Sequence, residues 1–290
     1  MNSDLPAGQW EGRDAAAWQS DWRVPAVHLF QRVSSTSDVA QRLAEAGAAA
    51  GTTVITDEQT AGRGQAGRTW TAAPGQSLLL SVLLRADSGV DPGSAPLRVG
   101  LAAATAIEDA TGLDVCIKWP NDLLLHDGGK LAGLLCEAAS GTGGTRIVAG
   151  IGINVLQAAH DFPADLRQRA VSLHMAGSVT ARATLVRAIL DRLRPFHVPP
   201  PPLDARTLQA LAARDALRGH QVDIDGTTAG VALGIAADGC LIVRAGDRAR
   251  RVRSGSVRRT RSPDAADTVA GQPTGNEHGS RQTRRAETPR

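Results

Sequence analysis

The sequence predicts an α+β protein, in which a large domain of interleaved strands and helices precedes a small antiparallel β-barrel. Apolar strand-like runs alternate with helical periodicities as far as about residue 217. Short β-type runs separated by glycines then occupy 219–257, as in a small barrel, and almost nothing after residue 261 is apolar. We therefore divide the chain into an N-terminal arm (1–23), a large domain (24–217), a small C-terminal domain (218–261) and a disordered tail (262–290).

The composition is typical of a soluble protein. Of the 290 residues, 42% are hydrophobic and 21% are charged. No apolar run approaches the ~20 residues that a membrane-spanning helix needs. The N-terminus also lacks the basic and apolar regions of a secretory signal. We expect a cytoplasmic protein with no membrane partner.

Cysteine and histidine usage argues against disulfides and structural metal. The three cysteines form neither a CxxC pair nor a disulfide framework, which fits a reducing compartment. Cys116 and Cys136 lie in apolar runs and are expected to be buried small hydrophobic residues. The seven histidines show no metal-ligand spacing, so no zinc site is predicted.

The elements of the large domain follow from hydrophobic patterning and capping residues. Strands are expected at 24–33, 53–58, 77–84, 115–119, 130–139 and 146–155. A first helix is expected to start at the hydroxyl-rich segment 34–38 and to end at Gly47. Further helices are expected at 96–111, ending at Gly112, and at 164–175, 180–194 and 203–217.

Two segments are expected to be connections rather than domains. Trp10, Trp18 and Trp22 lie among polar residues and are expected to pin an N-terminal arm onto the body of the protein. The arm is too short for a helix-turn-helix module. The proline run 199–202 is expected to be a stiff linker.

A glycine- and arginine-rich loop at 59–70 follows the second predicted strand. Glycine lets a ligand approach the main chain closely, and arginine provides a planar charged fork for phosphate or carboxylate. These residues favour a mobile loop that wraps an anion. It is not a P-loop, because no Gly-Lys-Ser/Thr follows. A solvated surface turn fits the same composition, and the loop alone does not decide between the two.

A second cluster combines 118–122 with 129–133. Lys130 opens a strand beside Gly129, Ala132 and Gly133, so a ligand could lie against the backbone within reach of its ammonium group. An exposed lysine that protects an edge strand is the alternative. Likewise, Ser35 and Thr36 could serve only as helix caps.

Together these segments resemble those of bacterial biotin protein ligases, in the form without an N-terminal DNA-binding domain. The resemblance rests on the order of several motifs and covers about 24–261. The motifs are Ser35-Thr36, Gln59, 62–64, 67–70, 118–122, 129–133 and 150–155. It implies a class II synthetase-like catalytic domain, with a mixed sheet flanked by helices, followed by an SH3-like barrel.

The resemblance also implies a two-step reaction. Biotin's carboxylate attacks the α-phosphate of ATP, which gives biotinyl-5′-AMP and pyrophosphate. A lysine of a biotin carboxyl-carrier domain then takes the biotinyl group and releases AMP. The expected substrates are ATP and biotin, with Mg²⁺. A loop that closes over the intermediate would protect this mixed anhydride from water.

Site residues follow from the same resemblance, position by position. Biotin is expected to contact Ser35, Thr36, Ser37, Gln59, Arg63, Gly64, Gln65, Lys130 and Gly133. ATP is expected to contact Arg63, Arg68, Trp70, Lys118, Asn121, Asp122, Lys130 and Asn154. Lys130 and Arg63 are the expected catalytic residues, because step one brings two anions together and cations must offset their repulsion. Asp122 is the expected magnesium ligand.

Two positions depart from the family pattern. The family usually has Ser-Thr-Asn where this chain has Ser35-Thr36-Ser37, and commonly has Gly-Arg-Gly-Arg where this chain ends in Gln65. A neutral amide lacks charge assistance and should hold the adenylate less firmly than a guanidinium. We therefore expect the intermediate to escape more readily than from an arginine-bearing relative.

Two other functions remain open on the sequence. A lipoate or other acyl-acid ligase would share the fold and the adenylation chemistry. A non-catalytic biotinyl-adenylate sensor or nucleic-acid-binding regulator would use the eight arginines within 244–261. Without interleaved aromatic residues, that run favours a solvated basic edge over nucleic-acid binding. A monomer or weak homodimer is expected.

Overall fold

An eight-stranded mixed sheet forms the centre of the molecule. A computed structural model describes residues 4–86, 92–141, 144–194 and 203–260. The strands are β1 (Leu5–Pro6), β2 (Val27–Val33), β3 (Thr53–Gln59), β4 (Ser77–Ala86), β5 (Val115–Lys118), β6 (Asp122–Leu125), β7 (Lys130–Gly141) and β8 (Gly144–Asn154). Their order is β1-β2-β3-β4-β8-β7-β6-β5, with β2 and β3 parallel and the other neighbours antiparallel. The predicted mixed sheet is confirmed.

Helices cover both faces of this sheet. They are α1 (Ala15–Trp22), α2 (Thr36–Glu45), α3 (Ala95–Thr111), α4 (Arg182–Leu193) and α5 (Ala205–Arg214). As predicted, α2 follows an N-terminal cap, in which Ser35 Oγ accepts a hydrogen bond from the Ser37 N–H. The left-handed Gly112, with φ 72°, ends α3 as expected. Helix α1 was not among the predicted elements.

The period-two alternation of β8 separates the two faces. Ile147, Ala149, Ile151 and Ile153 belong to the larger core, which also contains buried residues of α1, α3 and α4. Val148 instead packs with α2 in a smaller cluster. The positions that continue the Val148 face are Gly150, Gly152 and Asn154, which have little or no apolar side chain. Half of this sheet face is therefore left open beside α2.

The helix predicted at 164–175 is wrong. The segment forms successive turns, and its backbone pairs with the start of β7. The Lys130 N–H donates to the Arg169 carbonyl (2.7 Å), and the Val171 N–H donates to the Lys130 carbonyl (3.0 Å). These long-range hydrogen bonds take backbone groups that a local helix would have used, so tertiary pairing overrides the helical periodicity.

The three N-terminal tryptophans are buried in the larger core, as predicted. Trp18 and Trp22 stack with ring centroids 4.6 Å apart, and Trp10 meets both edge-on. The Trp10 indole N–H donates to Asp57, which also pairs with Arg182. This packing fastens the arm to β3 and α4.

The C-terminal domain is a five-stranded antiparallel sheet. Its strands are β9 (Gln221–Ile224), β10 (Thr227–Ile235), β11 (Leu241–Ala245), β12 (Arg248–Val252) and β13 (Val257–Arg259), in the order β12-β11-β10-β9-β13. The buried Trp119 indole N–H donates to the Gly239 carbonyl and joins this sheet to the large one. Closure into an SH3-like barrel and the domain boundaries stay predictions. The 199–202 linker and the 262–290 tail lie outside the described residues.

All three cysteines are free thiols. Cys240 is buried, whereas Cys116 and Cys136, predicted to be buried, each keep part of their surface exposed. The protein atoms around the Cys136 thiol still shield it from water enough to raise its pKa to about 12. Within the described ranges, no helix is long and apolar enough to cross a membrane.

Candidate active site

A cavity of about 960 Å³ lies on the open half of the sheet. Gly133, Gly150 and Gly152 form part of its wall, and each is needed for space. A Cβ on Gly150 would lie 2.6 Å from Ser37 Oγ, and one on Gly152 would lie 2.6 Å from the Trp70 ring. A Cβ on Gly133 would approach the same ring to 2.8 Å. Any larger residue would displace side chains that line the cavity.

Every residue assigned to the site from sequence lines this one cavity. The set comes from α2 and its cap, β3, the 62–70 loop and β5 to β8. Its members are Ser35, Thr36, Ser37, Gln59, Arg63, Gly64, Gln65, Arg68, Trp70, Lys118, Asn121, Asp122, Lys130, Gly133 and Asn154. Arg63 and Lys130 in particular share the cavity, although 67 residues of sequence separate them. Their individual roles stay predictions.

The glycine-arginine loop folds back on itself above the cavity. The Gly64 N–H donates to the Arg68 carbonyl (2.7 Å), and the Trp70 N–H donates to the Gly62 carbonyl (2.9 Å). A Cβ on Gly62 would lie 2.5 Å from the Trp70 carbonyl oxygen, so this approach requires glycine.

Arg63 ties the loop to two other elements. Its guanidinium donates to both carboxylate oxygens of Glu137 on β7, at 2.7 and 2.8 Å, and lies 2.8 Å from Asp38 on α2. The guanidinium is thus paired with two carboxylates. Because the Arg63 side chain is 43% exposed, solvent weakens these pairs, and a phosphate could replace one of them.

Two lysines share one carboxylate inside the cavity. Lys130 Nζ lies 2.7 Å from one oxygen of the buried Asp122, and Lys118 Nζ lies 3.4 Å from the other. Burial lowers the pKa of Lys118, although Asp122 opposes that shift. Lys118 and Lys130 are the only lysines among 32 lysines and arginines in the sequence. Both lysine side chains of the sequence therefore lie beside Asp122.

The start of β7 is held so that Lys130 faces the cavity. The Asn154 amide donates to the Lys130 carbonyl (3.3 Å) and to the Val171 carbonyl (3.1 Å). Similarly, the Asn121 amide donates to the Leu134 carbonyl (2.7 Å). Both asparagines thus bind backbone, and the nucleotide contacts expected for them stay predictions.

Trp70 packs its ring against the glycine wall between β7 and β8. Gly133 and Gly152 are paired across these strands, and the ring covers both. Lys130 Nζ lies 5.7 Å from the ring centroid, within cation–π range. The glycines of the 150–155 motif therefore have a packing role that the sequence did not indicate.

The described residues do not fit a protein-held magnesium ion at Asp122. Both of its oxygens face lysine ammonium groups. No group of three or more acidic, histidine or cysteine side chains suited to a metal occurs in the described part of the chain. Mg²⁺ prefers oxygen ligands in near-octahedral geometry, which this carboxylate alone does not offer.

Sequence reasoning missed several residues of the site. Ser81, on β4, supports the cap of α2 through a bond from its Oγ to Thr36 Oγ1 (2.8 Å). Arg258 and Arg259, on β13, line the cavity, so the arginine-rich run is not only a solvated edge. The arginine-rich run gave no signal of this contact in the sequence, since the contact depends on how the two sheets meet.

Comparisons with known proteins show which proteins this chain is similar to. The model of the biotin/lipoate A/B protein ligase family matches residues 29–154. The chain is 34% identical over 245 residues to the bifunctional ligase/repressor BirA of Bacillus subtilis, covering 81% of this chain and 74% of that protein. A biotin–[acetyl-CoA-carboxylase] ligase of Mycobacterium tuberculosis is 37% identical over 154 residues, 50% of this chain and 54% of the relative.

Solved structures show the same fold. The biotin protein ligase from Aquifex aeolicus in complex with biotin and ATP aligns with a TM-score of 0.64 and 25% identity. The alignment covers 81% of this chain and 99% of that one.

Proposed function

This chain belongs to the biotin/lipoate A/B protein ligase family, and we propose that it joins biotin to a lysine of a carrier protein. It is an ATP-dependent ligase that forms an amide bond. The observation that carries the proposal is a single cavity that holds hydroxyl and amide groups beside α2 and cationic groups at the 62–70 loop and β7. Biotin requires both kinds of group, because it has a polar ureido ring and a carboxylate.

In the first step, an oxygen of biotin's carboxylate bonds to the α-phosphorus of ATP, and the bond to pyrophosphate breaks. Two anions must approach each other, so nearby cations lower the barrier. We assign Lys130 the role of stabilising the developing charge, and the support for this role is its position in the cavity, where its ammonium group lies 2.7 Å from Asp122. Arg63 and Arg68 supply further charge from the loop.

In the second step, a lysine amine of the carrier attacks the biotinyl carbonyl carbon. The amide C–N bond forms, the C–O bond of the anhydride breaks, and AMP leaves with its phosphate. The attacking amine loses one proton, which passes to solvent water. Lys118 and Lys130 would bind the departing phosphate through the same contacts that served step one, with Trp70 available to stack on adenine.

The polar end of the cavity favours biotin over lipoate. Ser35, Ser37 and Gln59 line it, and a dithiolane ring could not use the hydrogen-bonding capacity that these groups keep beyond their bonds within the protein. A site built for hydrogen bonds rejects a ligand that lacks them by a large factor. Lipoate and other acyl acids are therefore the weaker candidates.

Partners and location belong to the proposal as well. The acceptor would be the biotin carboxyl-carrier domain of an acyl-CoA or pyruvate carboxylase, in the cytoplasm, with the ligase a monomer or weak homodimer. Mg²⁺ is included only as the usual companion of ATP's phosphates, which provide many of its ligands. A nucleic-acid-binding regulator is not favoured, because Arg251 and Arg253 pair with Asp238, and Arg258 and Arg259 line the cavity.

The test is transfer of labelled biotin to a purified carrier domain with ATP, beside labelled lipoate and its own carrier domain. We expect ATP-dependent label on the biotin carrier alone. Label on the lipoate carrier alone would contradict the proposal that biotin is the substrate. Adenylate formation without transfer to either carrier would contradict the ligase function.

Gln65 is expected to hold biotinyl-adenylate in the cavity less firmly than an arginine would. We expect Gln65→Arg to slow release of biotinyl-adenylate about fivefold, since a charged hydrogen bond is worth about 1 kcal/mol more than a neutral one. Release is measured in a single turnover, without carrier, by labelling of a lysine-rich bystander protein. The bystander protein supplies the lysines that react with released adenylate, because the ligase itself has only two lysines.

Gln41→Arg, on the exposed side of α2, is the matched control. It adds the same charge outside the cavity and should leave release unchanged. An unchanged rate for Gln65→Arg would show that charge at position 65 does not retain the adenylate.

A further inference from the structure

Ser81 is a fully buried serine of β4 that belongs to none of the recognised motifs. It lies behind α2's cap, between Thr36 and Ser37. Ser81 Oγ lies 2.8 Å from Thr36 Oγ1 and 3.3 Å from Ser37 Oγ. Thr36 Oγ1 in turn lies 3.1 Å from Gln59 Oε1. Four polar side chains thus form one chain of hydrogen bonds under the cavity.

A backbone group fixes which partner donates in each of these hydrogen bonds. The Thr36 N–H can only donate, and it lies 2.8 Å from the Gln59 amide. The end of the amide that it meets must therefore be the oxygen. The Thr36 hydroxyl faces the same oxygen, so it must donate its single hydrogen there.

The donor and acceptor roles of Ser81 and Ser37 follow from this assignment. Since the Thr36 hydrogen is committed, Ser81 must donate its own hydrogen to Thr36 Oγ1. Ser81 Oγ can then only accept in its contact with Ser37, so the Ser37 hydrogen points toward Ser81. The Ser37 oxygen keeps its lone pairs for the cavity that it lines.

We propose that Ser81 is a positioning residue that makes Ser37 a hydrogen-bond acceptor, and so selects a ligand that presents an N–H group there. The inference rests on the proposed function, in which that ligand is the ureido ring of biotin. The remaining groups complement it. Ser35 Oγ accepts from the Ser37 N–H, which leaves the Ser35 hydrogen available, and the NH₂ end of Gln59 can only donate. Donors thus serve the ureido carbonyl, and an acceptor serves an N–H.

This arrangement also accounts for serine at position 37. A Cβ on Gly150 would lie 2.6 Å from Ser37 Oγ and 3.7 Å from Ser81 Oγ, so the glycine leaves room for the two hydroxyls to meet. A serine hydroxyl can donate or accept, whereas the oxygen of an asparagine amide only accepts. Ser81 therefore gives Ser37 the polarity that an asparagine oxygen has by itself.

The experiment compares biotin with its cyclic carbamate analogues, in which one or the other ureido N–H is replaced by a ring oxygen. The wild type should have a much lower kcat/KM for the analogue that lacks the N–H facing Ser37. In Ser81→Ala, the Ser37 hydroxyl is free to donate to that ring oxygen. We expect KM for biotin to rise about tenfold with little change in kcat, and discrimination against the analogue to fall by a similar factor.

Ser77→Ala is the matched control, because Ser77 is another fully buried serine of β4 whose hydroxyl bonds Gln157 instead. It should keep the wild-type discrimination. Ser37→Ala, which removes the acceptor itself, should lose discrimination as Ser81→Ala does, and it serves if Ser81→Ala fails to fold. If both analogues and biotin weaken equally in these variants, the inference is overturned. If the wild type does not turn over biotin at all, the result contradicts the proposed function itself.

Discussion

Replacing Lys130 with alanine should lower the rate of biotinyl-adenylate formation on the order of 100- to 1,000-fold, the usual loss when one charge-stabilising group is removed from an active site. Lys130 is the cation held nearest to Asp122, at 2.7 Å, and it lines the wall formed by Gly133 and Trp70. Without it, Lys118 alone would offset the buried carboxylate, from 3.4 Å, and the carboxylate would oppose the approach of biotin and ATP. Pyrophosphate release at saturating biotin and ATP measures the first step directly.

The Lys130→Arg variant shows whether charge alone is enough. We expect it to recover only part of the rate, because a planar guanidinium is larger than an ammonium group. A Cβ on Gly133 would already lie 3.4 Å from Lys130 Nζ, so space is limited there. Arg244→Ala, an exposed residue of β11, should have the wild-type rate. A full rate for Lys130→Ala would contradict the catalytic assignment while leaving the family unaffected.

Replacing Arg63 with alanine should lower kcat/KM for biotin about 10- to 100-fold, the range expected for loss of a hydrogen bond to a charged group. Two effects act together. The loop loses its guanidinium, and Glu137 and Asp38 lose the cation between them. Their negative charges would then oppose the anionic substrates. Steady-state transfer to a carrier domain measures the loss.

Glu137→Gln separates these two effects. It keeps the Arg63 guanidinium but weakens the pair that holds it, so we expect a loss several-fold smaller than that of Arg63→Ala. Arg42→Ala is the matched control, since Arg42 is a half-exposed arginine on α2 that pairs with Asp4 away from the cavity. Equal rates for Arg63→Ala and the wild type would show that the Arg63 guanidinium does not bind the substrate.

Residues that lie in short ordered motifs could be assigned from sequence, because the family resemblance rests on those motifs. Lys118, Lys130 and Arg63 were assigned through that resemblance, and the structure brings them into one cavity. The capping of α2 by Ser35 and the end of α3 at Gly112 were predicted from the residues themselves, since both depend on local backbone geometry.

Contacts between distant segments could not be assigned. The periodicity of 164–175 favours a helix, yet this backbone pairs with Lys130 at the start of β7. In the sequence, Ser81 is one residue of an apolar strand, and only the approach of α2 gives it hydroxyl partners. Arg258 and Arg259 reach the cavity only because the small sheet lies against the large one.

The sequence by itself determined the family, most strands of the large sheet and the cationic and polar residues of the cavity, because these depend on short motifs and local preferences. The tertiary structure alone decided which carboxylates pair with those cations and which way the hydroxyls beneath the cavity point. These features depend on hydrogen bonds between strands and helices far apart in the chain, and a hydrogen bond has a direction only when both partners are in place.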